Sequence, residues 1–263
     1  MQYNIFETIA KMPQKDYSNQ KVMIGLSGGI NSMSILCWLS EYPEHLKPME
    51  LHLFYAHFEE HSPDTLPFVL AGVEFAKKHF KAVFSNQTDN SILQSFEEWK
   101  MIPHPMIAPC TRLLKIEPML IYMVENKISI DLVGYVRTEA RRVKNMAAKS
   151  GGGYANNSVQ IGEIEKHFPI ISHDDAWCFK IVKRLIGWYP KIYDIMENGK
   201  RVFKHNNCLP CKNMNDNDFA RVKKYFPEYA QRAENLAEKI DGYWGRKPKS
   251  DDEESGCAIC NFD

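Results

Sequence analysis

Two groups of residues in this chain are spaced for chemistry. The first is Ser27-Gly28-Gly29-Ile30-Asn31-Ser32, which follows the apolar run Lys21 to Leu26 and precedes a helical spacing of Met33, Leu36, Cys37 and Leu39. Glycines let the chain turn sharply and bring main-chain N–H groups close to a ligand. A helix N-terminus adds positive potential, and the hydroxyls of Ser27 and Ser32 can donate to the same oxygens. The pattern suits a phosphate cradle, weighed against a plain strand-to-helix turn capped by Asn31 or Ser32. It is not a Walker loop, because the Gly-Lys-Ser/Thr ending is missing.

The second group is the cysteines. Four of the seven form two Cys-x-x-Cys pairs, Cys208/Cys211 and Cys257/Cys260. Such pairs turn two sulfurs toward one point, so together they offer four soft thiolates to tetrahedral zinc or to a [4Fe-4S] cluster. Cys37 and Cys178 lie in apolar helical contexts and are expected in the core. Cys110 stands beside Arg112 and Lys115, cations that would favour its thiolate. The nine histidines show no metal-binding spacing.

These groups need elements to hold them. Lys21–Leu26, Leu51–Ala56, Lys81–Phe84 and Asp131–Val136 read as strands. Helical patterns fall between them at Asn31–Ser40, Thr65–Lys78 and Ile116–Glu125. Alternation of this kind predicts an α/β, Rossmann-like open sheet, mostly parallel, with helices on both faces. In such sheets ligands sit beyond the carboxyl ends of the strands. The glycine loop and Arg137, Arg141 and Arg142 after the fourth strand would then face one cleft, where guanidinium groups can grip phosphate or sulfate bidentately. Phe168–Ile171 reads as short and extended. Helices are expected over Asp174–Ile186 and over Arg221–Ile240, the latter interrupted at Phe226-Pro227. The resulting division is an N-terminal extension (1–17), a nucleotide-binding core (18–172) and a helical, cysteine-bearing C-terminal region (173–263).

Composition bounds the function. Hydrophobic residues make up 44% and charged residues 25%, ordinary for a folded chain of 263 residues. Lys plus Arg and Asp plus Glu each number 33, so no global field draws the chain to a polyanion. No apolar run is long enough for a membrane span. The opening residues lack the pattern of a secretion signal, so a reducing, cytoplasmic location is expected, with cysteines used for metal or redox chemistry.

The loop resembles the PP-loop of the adenine nucleotide alpha-hydrolase superfamily, usually Ser-Gly-Gly-x-Asp-Ser. Further segments resemble its phosphoadenosine phosphosulfate (PAPS) reductase-like branch, including versions common in phage and mobile elements. They are His61-Ser62-Pro63-Asp64-Thr65-Leu66-Pro67-Phe68-Val69, Cys110-Thr111-Arg112-Leu113-Leu114-Lys115-Ile116-Glu117-Pro118, Gly134 to Arg142, and Asn206-Asn207-Cys208-Leu209-Pro210-Cys211. The resemblance implies an enzyme that binds an adenylyl nucleotide, PAPS or ATP, with or without Mg2+. Ser27, Gly28, Gly29, Asn31, Ser32, Arg112, Lys115, Arg137, Arg141 and Arg142 would be its contacts. Cys110 and Arg137 would be catalytic, and Cys208, Cys211, Cys257 and Cys260 would hold the metal. The resemblance tilts that metal from zinc toward [4Fe-4S], and it leaves open a second ligand set of Cys110, Cys208 and Cys211.

Two departures shape the expected reaction. Asn31 stands where many ATP-cleaving members carry an acid, and the Glu-Cys-Gly-Leu/Ile-His tail that carries the reductase nucleophile is absent. The leading expectation is thiol- or cluster-linked chemistry on a sulfonucleotide, with a thioredoxin-like carrier. The alternatives are an ATP-dependent sulfurtransferase that modifies nucleic acid and a non-catalytic nucleotide regulator. Self-association is compatible with each.

Overall fold

The computed structural model describes residues 15–87, 91–103, 109–150, 158–206 and 208–244. These fall into two compact units that the chain enters more than once. One comprises Met1–Tyr55, Asp64–Asn86 and Met119–Pro190; the other comprises Ala56–Pro63, Gln87–Pro118 and Lys191–Asp263.

The first unit is built on a six-stranded sheet. Its strands are β1 (Lys21–Gly25), β2 (Glu50–Ala56), β3 (Ala82–Gln87), β4 (Ile130–Leu132), β5 (Ser158–Ile161) and β6 (Ile164–His167). The spatial order is β3-β2-β1-β4-β6-β5. β1 runs parallel to β2, with Val22 opposite Leu51, and to β4, with Val22 opposite Ile130; β4 runs parallel to β6. The edge strand β5 runs antiparallel, as a hairpin with β6. Apart from Lys21 and Glu50 at their starts and the buried His52, the residues of β1 and β2 are apolar without alternation because both faces are covered: Val22, Ile24, Leu51 and Leu53 are all fully buried.

Helices supply the cover. α1 (Ile30–Ser40) packs against α2 (Thr65–His79) and against the helix Asp175–Leu185, and it is apolar around most of its girth. On the other face Met119 and Tyr122, from Glu117–Glu125, reach Gly25, His52 and Phe54. Ala140–Ser150 buries Val143 and Ala147 against Phe168 and Ile171. Asp174 caps Asp175–Leu185 by accepting from the Trp177 N–H at 2.9 Å. Phe168–Ile171, expected to be extended, forms turns. Its apolar side chains serve as a floor for the helix above them.

Strand order departs from β1 in both directions, which makes the β1/β4 edge the switch point of the sheet. Crevices at such points are where open α/β sheets bind ligands. The loop after β1 and the residues after β4 both lie there.

The second unit is mainly helical. α3 (Ile92–Glu98) is capped by Ser91, which accepts from the Gln94 N–H. Pro109–Thr111 begins a further helix, and Arg112–Ile116 forms a π-helical turn, in which the Glu117 N–H bonds to the Arg112 carbonyl. Pro118 has no N–H to return to Leu114, which favours the wider turn there. The segment that continues as α4 (Glu117–Glu125) thus begins earlier than expected from sequence. In chain order α5 is Ala140–Ser150 and α6 is Asp175–Leu185. Next come α7 (Asp216–Tyr225) and α8 (Pro227–Lys239), which meet at Phe226 as the sequence predicts. Trp244 stacks on Phe219 and donates its indole N–H to the Ala233 carbonyl, closing this unit's core with Phe96. No helix among the described residues is long and apolar enough to cross a membrane.

Candidate functional site

In the first unit β1 ends at Gly25, and the Leu26 N–H bonds to the Phe54 carbonyl at 2.8 Å, so the turn begins at a fixed point. Gly28 has φ +75°, and a β-carbon there would come within 2.3 Å of the Thr65 methyl carbon. Only glycine satisfies both constraints. The Ser27 and Ser32 hydroxyls lie 3.2 Å apart, and Ser32 donates to the Gly29 carbonyl at 3.1 Å. Gly29 is the N-cap of α1 and brings no side chain, and the first turn holds no acid. The helix end therefore keeps its positive potential.

The chain leaving β4 comes up against this loop. A β-carbon on Gly134 would lie 3.0 Å from the Asn31 carbonyl carbon and 3.2 Å from the Ser32 nitrogen. Beyond it, Glu139 accepts from Arg142 at 2.5 Å, from the Val136 N–H at 3.2 Å and from the Asn31 amide at 3.5 Å. Burial pushes the Glu139 carboxyl up, with Arg142 opposing. The Arg137 guanidinium donates twice to the Ser172 carbonyl, at 2.7 and 3.2 Å, while its N–H bonds to the His173 carbonyl. Arg141 lies on the exposed side of α5.

Arg112 and Lys115 are found in the second unit, with the cysteines. Arg112 pairs with Glu117 at 2.7 Å. Cys110, Cys208 and Cys211 line one cavity of about 20 Å3, together with Ile92, Phe96, Thr111, Lys115, Pro210 and Lys212. Cys110 and Cys208 are buried. Lys115 Nζ lies 3.8 Å from Cys208 Sγ and 5.0 Å from the centre of the Phe58 ring. Lys212, itself buried, donates to Asn213 at 2.7 Å. Burial pushes both thiols up; Lys212 and Lys115 pull Cys110 back, and Lys115 does the same for Cys208. His61 is held well below its ordinary value by burial, then by Lys115 and His57.

Glu60 braces this cavity. Its carbonyl accepts from the Leu209 N–H at 2.7 Å, next to Cys208. Its buried carboxylate accepts from Ser91 Oγ, from the Ile92 N–H and from Arg232, at 2.7, 2.8 and 3.3 Å. Cys37 and Cys178 are fully buried in α1 and α6, as expected, and burial pushes both thiols up to about 12.

The chemistry of the donors fits a thiophilic group, because three sulfurs share one largely apolar cavity with two cations. As the side chains stand, no three His, Cys, Asp or Glu among the described residues close round a metal ion. Cys257 and Cys260, the expected second pair, lie outside the described residues.

No protein-family model matches the chain, and no curated protein matches it. Among solved structures, the U34-tRNA thiolase NcsA from Methanococcus maripaludis, with its [4Fe-4S] cluster, is similar over 98% of this chain and 86% of that one. Its identity is 14% and the TM-score 0.50. A phosphoadenylyl-sulfate (PAPS) reductase from Candida auris, in its phosphate complex, is similar over 72% of this chain and 81% of that one, at 14% identity and TM-score 0.43. The likeness to the thiolase shows the fold: a Rossmann-like parallel sheet with helices around it and a helical C-terminal region.

Thr65, Gly134 and Glu139 stand inside the segments that carry the resemblance, without a role of their own there, and Glu60 and Lys212 are assigned no role from sequence.

Proposed function

We propose that this chain is a sulfur-transferring enzyme of the PP-loop, PAPS reductase-like kind. In this reading the Ser27–Ser32 loop holds the phosphates of an adenine nucleotide, and Cys110, Cys208 and Cys211 hold a [4Fe-4S] cluster. The observation that carries the reading is the burial of Cys110 and Cys208 in one lysine-flanked cavity with Cys211. A thiol that attacks a sulfonucleotide and is then resolved by a carrier must be accessible and readily ionised. Cys110 and Cys208 are buried, which suits ligands, and burial pushes both thiols up, which speaks against Cys110 as a free nucleophile. Zinc would use the same donors, and iron is preferred on the similarity to a cluster-bearing thiolase.

When bound, the cluster would present sulfur in a reduced, nucleophilic form. The chain's own residues do the rest. Main-chain N–H groups at Gly28 and Gly29, the Ser27 and Ser32 hydroxyls and the α1 N-terminus take up phosphate charge. Arg137 is assigned to the leaving side of the nucleotide, and Lys115 and Lys212 stabilise anionic sulfur. In the proposed reaction the acceptor oxygen would displace pyrophosphate from the α-phosphate of ATP, and a sulfide equivalent from a donor outside this chain would replace that oxygen as AMP leaves with it. Arg141, Lys144, Lys180 and Lys183, all exposed on α5 and α6, are proposed contacts to a nucleic-acid backbone.

Anaerobic purification with a visible spectrum and Fe, S and Zn analysis tests the metal. Cys110→Ser, Cys208→Ser and Cys211→Ser should each lose iron, and Cys37→Ser should keep it. Pyrophosphate and AMP released from ATP with RNA present support transfer. Sulfite released from PAPS with a dithiol carrier, and abolished in Cys260→Ser, would replace it with sulfonucleotide reduction.

A further inference from the structure

Asn31 sits at the mouth of the cradle with an unusual balance of partners. Its Nδ2 faces Glu139 Oε2 at 3.5 Å, and its Oδ1 is buried without a hydrogen-bond partner. Glu139 is in turn matched by Arg142 at 2.5 Å, with both side chains largely buried. Asp175, at the start of α6, adds negative potential at Glu139. The site therefore holds one compensated carboxylate, a second acid nearby and an uncharged amide beside the phosphate loop.

A carboxylate at position 31 would change this balance. It would face Glu139 at hydrogen-bond range, and like charges so close cannot both stay ionised unless a cation lies between them. With asparagine there, Arg142 already serves as the fixed counter-charge, and the uncapped α1 N-terminus faces an incoming anion with no acid in its first turn.

We propose that Asn31, with the Glu139–Arg142 pair, makes the cradle bind its nucleotide without a divalent cation, so that Asn31 sets the ionic form of nucleotide accepted. This rests on the reading of Ser27–Ser32 as the nucleotide site. Arg142 is a positioning residue here, acting through Glu139 and Asn31.

The test is calorimetric titration of ATP, and separately of PAPS, into the full anaerobically purified chain, in EDTA and in millimolar MgCl2. The expected result is an affinity in EDTA within about threefold of that in magnesium. Asn31→Asp should lose at least about tenfold in EDTA, the effect of roughly one pKa unit of charge conflict, and magnesium should restore much of the loss. Asn31→Asp/Glu139→Gln removes the conflict between the two carboxylates but keeps an acid in the first turn of α1, so it should recover part, not all, of the affinity lost in EDTA. A merely structural role for Asn31 would not give that rescue. Wild-type binding that appears only with magnesium overturns the inference and leaves the nucleotide site standing. No binding of either nucleotide to folded protein, with or without magnesium, overturns both. Should Asn31→Asp fold poorly, Arg142→Gln serves instead: it strips Glu139 of its counter-charge, and its affinity should become magnesium-dependent. An unchanged Arg142→Gln counts against the proposal.

Discussion

Gly28 and Thr65 approach each other so closely that a β-carbon on the glycine would stand 2.3 Å from the threonine methyl carbon, at a backbone φ of +75°. Two separate penalties follow for any side chain there: strain in the left-handed region and a steric clash with α2. Gly28→Ala is expected to cost about 1–3 kcal/mol and to abolish detectable nucleotide binding. Adding Thr65→Ser removes the opposing methyl group, so Gly28→Ala/Thr65→Ser should recover part of the stability without regaining the native turn. Urea midpoints and calorimetry on both variants check this.

Gly134 constrains the same loop from the other side. A β-carbon there would press on main-chain atoms, the Asn31 carbonyl at 3.0–3.1 Å and the Ser32 nitrogen at 3.2 Å, none of which can rotate away. Gly134→Ala should displace the start of α1 and weaken nucleotide binding by about tenfold or more. Gly162→Ala, which has φ +59° and open space around it, should lose about 1 kcal/mol and leave binding unchanged. Calorimetry on the two variants separates crowding at the cradle from backbone strain elsewhere.

How far the sequence could be read follows from the range of each signal. The largely apolar runs of β1 and β2, the helix start beside Asp174 and the break at Phe226-Pro227 are local features, and they emerge where their neighbours dictate. The β5–β6 hairpin did not, because Gln160, Glu165 and Lys166 interrupt its alternation; Lys166 instead pairs with the buried Asp131 across from β4. α3 carries its signal in only Ile92, Leu93 and Phe96, too few turns to read as a helix. The glycine loop was legible as a local pattern. The Asn31–Glu139 contact spans 108 positions and Lys115–Cys208 spans 93, so no spacing rule could pair them.

Acid sensitivity is expected from the far end of β2. Glu50 accepts from Lys81 at 2.6 Å, His52 at 2.8 Å and Lys21 at 3.3 Å. These partners, Lys81 first, hold its carboxyl down at about 2 against burial, from an ordinary 4.5. Between those values the unfolded chain binds more protons than the folded one, so stability falls as pH falls through that window. The contribution is fully present above about pH 4.5. Lys81 is mostly in water, so Glu50→Gln should cost only about 1 kcal/mol at neutral pH. The gap between wild type and variant should close as pH falls toward 2. Urea midpoints across that range check the sign, and a gap that widens toward acid would contradict it.

Glu60 offers the sharpest test of how the thiol cavity is held. Its carboxylate satisfies Ser91 and the Ile92 N–H at the start of α3, a helix whose Ile92 and Phe96 line the cavity, and it pairs with Arg232 of α8. Glu60→Ala leaves a buried N–H without its acceptor and Arg232 with only Glu59, which lies on the surface. The expected cost is about 2–3 kcal/mol. Glu60→Gln keeps an acceptor oxygen and loses the charge, so it should cost less. Because the main chain of Glu60 also fixes Leu209 beside Cys208, loosening this strut should reach the sulfurs. Iron retained per chain after anaerobic purification should fall in the order wild type, Glu60→Gln, Glu60→Ala, in step with the urea midpoint. Full iron content in a destabilised Glu60→Ala protein would show that the proposed cluster does not depend on this brace.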